Sequence, residues 1–261
     1  LKVLKNKEGF KFVRATLPEE KIYQYEVSFV PENVENLRES IELTLEEHIP
    51  LPPNSVEFDY EIVEKTPEKI RVLVGAVDKN TVTQYVSIFE SIGITPVSLE
   101  LEGSALARSL IKNEKETIMI VDFGSTRTGI SIVNGGSTLF STTISFGGQY
   151  LTELIAKDFG ISVAEAEAKK TKIGLNKSPE NKELFGVILS GISVLRDEIN
   201  KNYIYWHTHS AENGLSRPKV DKIIMCGGNS NLTGLRDYLT SSLKMPIELG
   251  NPWINLNKKD S

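Results

Sequence analysis

The chain of 261 residues carries 30 basic against 35 acidic side chains, a formal charge of −5, with 39% apolar and 25% charged residues, which places it among ordinary folded domains and excludes disordered and collagen-like classes. The negative balance leaves no general field for nucleic acid or anionic lipid. Cys226 is the single cysteine, so an internal disulfide and a cysteine zinc cluster are excluded and a reducing compartment, the cytoplasm, is the simplest home.

In chain order, residues 11–17 read as a strand stopped by Pro18, and 22–30 as a second in which Tyr23, Tyr25, Val27 and Phe29 alternate. Residues 32–48 place Val34, Leu37, Ile41, Leu45 and His48 at helical spacing and predict one amphipathic helix, ended by Pro50, Pro52 and Pro53. Residues 56–63 and 70–77 predict strands around a polar turn with Pro67, and 81–92 a helix closed by Gly93. Residues 22–94 thus form a β-α-β-β-α module. A helix over 101–111 follows, then a polar stretch at 112–117. Three strands come in quick succession at 118–122, 128–134 and 137–145, the last two joined by the Gly135-Gly136 hairpin turn. Helices over 149–159, 162–172 and 182–206, a strand over 220–226 and a helix over 232–243 complete an α/β order without internal repeats. The longest apolar runs, VLVGAV at 72–77 and IMIV at 118–121, fall far below the roughly 18 residues of a membrane span.

Three glycine-rich turns carry the chemistry. In VDFGSTRTGISI at 121–132 an acidic residue ends an apolar strand, a Gly-Ser-Thr turn follows and the chain returns as a strand. Small residues let backbone N–H groups approach an anion, the Ser125 and Thr126 hydroxyls can donate, and Asp122 can order a metal-bound or attacking water. A P-loop is excluded, because Ile130 stands where its lysine should be and a strand follows where it needs a helix. Gly147-Gly148 opens a helix, and CGGNSNLTG at 226–234 ends a strand in a double glycine before another helix, a geometry that lets a flat ring or a phosphate lie against the backbone. Glu167 and Lys170 form an i, i+3 pair of a kind common on helix surfaces. His207 and His209 face different ways with no third ligand to complete a metal site, and Cys226 reads as an inert core thiol.

With these turns in place, the chain resembles the actin superfamily and, within its FtsA/PilM branch, the PilM family of type IV pilus assembly proteins. The marks are IPLPP at 49–53 followed by FDYEIV at 58–63, LELEGSALARSL at 99–110, and the stretches at 121–132, 145–156, 166–170 and 226–234. The resemblance implies a two-domain actin-like (ribonuclease H-like) α/β fold with an inserted β-α-β-β-α subdomain. Residues 1–21 would be the remainder of subdomain IA, 22–94 an interaction subdomain IC, 95–115 the IA connecting helix, and 116–261 the nucleotide-binding subdomains IIA and IIB.

It also implies ATP with Mg2+. Asp122 would be the metal and catalytic carboxylate, Gly124, Ser125 and Thr126 the second phosphate loop, and Gly147 and Gly148 neighbours of the phosphates. Glu167 and Lys170 would face ribose and base, and Gly227, Gly228 and Asn229 would form the adenosine turn. The implied role is a cytoplasmic scaffold at the inner membrane that docks the N-terminal cytoplasmic peptide of PilN and meets other inner-membrane pilus proteins. Nucleotide would close the cleft, with slow or absent hydrolysis. Self-association is included, nucleic acid is not, and the membrane is reached only through partners. A filament-forming FtsA-like division protein and a small-molecule kinase of the superfamily are the alternatives. The chain opens on Leu1-Lys2 without the family's first phosphate hairpin and closes on NPWINLNKKDS, so both ends read as cut.

Overall fold

The computed structural model describes residues 1–112, 115–209 and 217–256. They divide into two compact units, Leu1–Ala105 and the described residues from Leu106 onward.

The first unit begins with helix α1 (Lys2–Glu8) and strand β1 (Phe12–Leu17). Then come β2 (Ile22–Phe29), short helices α2 (Leu37–Glu42) and α3 (Leu45–His48), β3 (Val56–Lys65), β4 (Ile70–Asp78), α4 (Lys79–Glu90), β5 (Thr95–Leu101) and the start of α5 (Glu102–Leu110). β2, β4 and β3 form an antiparallel sheet in that spatial order, and β1 pairs with β5 in parallel. Alternation along β4 decides the faces. Val72, Val74 and Ala76 are buried with Ile41, Leu45 and Ile49 from the α2–α3 segment, whereas Leu73, Gly75 and Val77 project to the other side. Burial of a side chain such as Ile41 contributes about 2 kcal/mol.

The predicted helix over 32–48 is broken into α2 and α3, for local reasons. The Asn36 side chain accepts from the N–H groups of Arg38 and Glu39, so the helix starts at Leu37. The Thr44 hydroxyl then donates to the Ile41 carbonyl at 2.8 Å, competing with the backbone ladder and bending the chain. The apolar spacing survives the break, because Ile41 and Leu45 still reach the same sheet face. Residues 95–101, expected to lead into the connecting helix, form β5. Pro96 hides this strand in the sequence, and it sits beside a register shift opposite Val13 and Arg14.

The second unit contains β6 (Ile118–Phe123), β7 (Thr128–Asn134), β8 (Ser137–Ile144), α6 (Gly148–Phe159), α7 (Val163–Ile173), α8 (Lys182–Thr208), β9 (Lys222–Cys226), α9 (Leu235–Leu243) and β10 (Ile247–Leu249). The sheet order is β10-β9-β6-β7-β8, parallel across β10, β9 and β6 and antiparallel across β6, β7 and β8. Central β6 is apolar on both faces, as its unbroken run requires. Met119, Val121 and Phe123 join Leu151, Ile188 and Leu239 in the main core, and Ile118 and Ile120 join Ala107, Leu110 and Ile111 on the other side. Asp122 is the polar residue that this alternation places near the end of the strand. Among the described residues no helix is long and apolar enough to cross a membrane.

Candidate functional site

Asp122 lies opposite Gly129 on β7 and Cys226 on β9. Burial pushes its carboxyl above the usual aspartate range, and the opposing pull of the Arg127 charge and the Cys226 thiol only partly offsets this. The Cys226 thiol is itself pushed up to about 12, by burial first and then by the Asp122 charge, so it stays protonated and can donate to the carboxylate. That state makes it inert as a nucleophile.

The turn beyond Asp122 is closed by the Gly124 N–H, which reaches the carbonyls of Asp122 and Arg127, each at 3.1 Å. Ser125 and Thr126 are exposed at its tip, and none of the backbone bonds of the described residues uses their N–H groups. Those two donors, with their hydroxyls, are the ones available to an anion. The start of α6 is not. Gly148 N–H donates to Gly124 O at 3.0 Å and Gln149 N–H to Ser125 O at 2.8 Å, so the helix clamps the turn. The clamp requires glycine, since a Cβ on Gly147 would lie 2.7 Å from the Arg127 nitrogen and closer still to the Ser125 carbonyl.

Lys170 joins the turns. It is only 3% exposed, and its ammonium lies 2.8 Å from Glu167 Oε2, 2.9 Å from Gly148 O, 2.9 Å from Thr152 Oγ1 and 3.3 Å from Asn229 Oδ1. The amide of Asn229 in turn donates to Gly124 O at 2.9 Å. Glu167 is half exposed. Burial alone would raise its pKa, but hydrogen bonds from Lys170 and Thr152 and the Lys170 charge bring it below the usual glutamate range. The Glu-Lys pair is therefore no ordinary surface pair, because its lysine is a buried tie between α7, α6 and the turn after β9.

Gly227 has φ 82° and ψ 160°, a conformation open essentially to glycine alone, and a Cβ there would fall 2.6 Å from Phe123 O and against the Asp122 carboxylate. Gly228 differs: a Cβ there meets nothing within 4 Å, leaving an open face where a flat ring could lie. The structure thus brings together in the second unit Asp122, Gly124, Ser125, Thr126, Gly147, Gly148, Glu167, Lys170, Gly227, Gly228 and Asn229. Sequence reasoning missed Thr152, a buried hydroxyl within the apolar stripe of α6, and Arg127. Polarity inside a buried stripe was the available signal for the threonine. No group of three metal-ligating side chains occurs among the described residues. A single carboxylate at the base of the turn suits Mg2+, which keeps several waters and is held through one or two carboxylates and phosphates. His207 is committed elsewhere, with Nδ1 2.7 Å from Tyr203 O and Nε2 accepting from Val220 N–H at 3.3 Å.

The first unit holds a separate cavity of about 360 Å3. Its floor includes Leu73, Gly75 and Val77 of β4, with Leu17, Ile22, Leu99 and Leu101 adding apolar surface. Five consecutive residues of β3, Glu57 to Glu61, line it. Gly75 to Val77 of the central strand β4 line it consecutively as well, so main-chain atoms face the cavity along with side chains, and it spreads over the sheet face that carries Gln24, Gly75 and Asp59 out to β3. Among the described residues the outer edge of β3 has no strand partner in the β2-β4-β3 sheet.

A solved PilM-PilN type IV pilus biogenesis complex is similar over 93% of this chain and 70% of the other, with TM-score 0.73 and 20% identity. MreB5 of Spiroplasma citri bound to AMPPNP is similar over 67% of this chain and 60% of that one, with TM-score 0.55 and 19% identity. The ethanolamine utilization protein EutJ from Carboxydothermus hydrogenoformans is similar over 67% and 57%, with TM-score 0.51 and 20% identity. These likenesses establish the mixed α/β actin-like fold. The family described as type IV pilus assembly protein PilM matches residues 5–261, and the chain belongs to that family.

Proposed function

We propose that this PilM-family chain binds ATP with Mg2+ in its second unit and docks the N-terminal cytoplasmic segment of PilN in its first, acting as a cytoplasmic scaffold of pilus assembly. The observation that carries the nucleotide reading is the convergence, through Lys170 and Asn229, of three glycine turns separated widely in sequence. The Ser125 and Thr126 N–H groups would hold phosphate oxygens, Asp122 would order a water on the metal, and the open face of Gly228 would accept the base. Mg2+ would supply charge neutralisation between phosphate oxygens. Calorimetry of the full-length protein with ATP and Mg2+ tests this. Gly228→Leu should weaken binding at least about tenfold, or about 1.4 kcal/mol, with the unfolding midpoint unchanged. Equal affinity in that variant and in Asp122→Asn would overturn the site.

The docking reading rests on the edge cavity of β3 together with the family. An extended peptide can add to a free strand edge through main-chain hydrogen bonds while its side chains fill adjacent apolar space. A Cβ at Gly75 finds nothing within 4 Å, so Gly75→Leu sets a side chain over the cavity floor. It should abolish binding of a PilN N-terminal peptide. If nucleotide alters peptide affinity, the peptide must alter nucleotide affinity by the same factor, and titrations in both orders check that reciprocity.

A further inference from the structure

We propose that the β3 edge cavity selects an extended peptide by charge: apolar side chains accompanied by at least two Lys or Arg at alternate positions. This deepens the docking reading above and rests on it. Among the described residues the lining contains four carboxylates, Glu57, Asp59, Glu61 and Glu100, and no lysine or arginine. Glu61 and Glu100 are engaged within the protein, so the charge met by an incoming strand is carried chiefly by Glu57 and Asp59, both exposed. Asp59 gives one oxygen to the Tyr60 N–H at 2.9 Å. Glu57 has Lys79 at 3.9 Å, but that ammonium also donates to the Asn54 carbonyl at 2.8 Å, outside the lining. The cation on the same face of β4, Arg71, is consumed by Glu26 at 3.0 Å and Glu64 at 3.1 Å. It therefore cannot offset the acidic edge.

Spacing gives the pattern its period. Glu57 and Asp59 are two residues apart on one face of β3, about 6.8 Å along the strand, the repeat of alternate side chains on any strand paired beside it. An added strand would thus set residues i and i+2 opposite the two carboxylates. Main-chain bonds and the apolar floor would supply affinity, and the carboxylates would reject acidic sequences and speed encounter with basic ones.

Fluorescence anisotropy on the full-length protein tests this with three labelled ten-residue peptides of identical Leu and Ile content, differing only in two alternate positions occupied by Arg, Gln or Glu. At low salt the Arg peptide should bind about tenfold more tightly than the Gln peptide and the Glu peptide least, with the spread shrinking to about threefold or less at 0.3 M salt. The double variant E57Q/D59N should bring the Arg and Gln peptides within about twofold of each other. Equal affinities for all three peptides, a preference for Glu, or an Arg preference that survives in E57Q/D59N would overturn charge selection. Docking would still stand in those cases if Gly75→Leu abolished binding. Binding indifferent to Gly75→Leu, or no binding of any peptide, would overturn the docking reading itself.

Discussion

The candidate nucleotide site of the second unit and the edge cavity of the first are built by opposite means. Around Asp122 the backbone is crowded: Gly147 and Gly227 have no space for a methyl group, and a buried lysine is satisfied entirely by protein acceptors. Along β3 Glu57, Asp59 and Glu61 are exposed, Gly75 has room for a Cβ, and among the described residues a strand edge is left without a ladder partner. A site whose shape depends on backbone contact should fail by losing stability. One shaped by exposed side chains on a finished sheet should lose affinity alone.

The largest effect should come from Gly227→Ala. A residue with Cβ at φ 82°, ψ 160° costs about 1–3 kcal/mol in backbone conformation, and displacing the Phe123 carbonyl adds a comparable amount. Urea unfolding should show a loss of about 3 kcal/mol or more, and a loss under about 1 kcal/mol would mean that the turn relaxes freely. Lys170→Met comes next. It leaves the Gly148 carbonyl and Asn229 side chain short of a donor, for an expected loss of about 2–3 kcal/mol. Glu167→Gln removes the other half of the same ion pair but from a half-exposed carboxylate, so about 0.5 kcal/mol is expected. Equal losses in the two variants would show that the pair itself, and not the tie to the turns, carries the stability.

Much of this contrast was legible in the sequence. The three glycine turns were visible because each follows or precedes an apolar strand. What the sequence did not reveal was that Lys170 is buried, because an i, i+3 charge pair has the same spacing on a surface helix and at a junction of helices. Nor did it reveal that α6 spends its first donors on the turn, since that depends on how closely Gly147 approaches Ser125. In the first unit the order of strands and helices over 22–94 was readable from alternation and proline breaks. The residues that line the cavity were not, because β5, which contributes Leu99 and Leu101, contains a proline and does not look like a strand.

Asp122 sharpens the comparison with a change of opposite sign. Its folded pKa is raised above 3.8, so the folded protein holds this proton more tightly than the unfolded chain. Stability from this group is therefore greatest below the unfolded value and declines as pH rises through the raised folded value, after which the penalty is constant. Asp122→Asn should raise the urea midpoint at pH 7, converge with the parent below pH 3.8, and weaken ATP binding only when Mg2+ is present. Glu167 runs the other way. Its pKa is lowered, so its contribution is present above 4.5 and lost as pH falls through the folded value. A midpoint for Asp122→Asn that tracks the parent at every pH would remove the case for a carboxylate held at a cost.

The smallest effect on stability should be that of E57Q/D59N. Neither side chain is buried, the Glu57–Lys79 pair spans 3.9 Å with both partners about half exposed, and Lys79 retains the Asn54 carbonyl without it. Exposed pairs of this kind contribute about 0–1 kcal/mol, and removing two like charges from one strand face relieves some repulsion in return. The unfolding free energy should therefore stay within about 0.5 kcal/mol of the parent, against the loss of about 3 kcal/mol or more expected for one methyl group at Gly227. If the double variant instead destabilised the protein by more than about 1 kcal/mol, the two carboxylates would be structural parts of the sheet, as Glu26 and Glu64 are around Arg71, and the edge of β3 would lose its standing as a surface shaped for a partner.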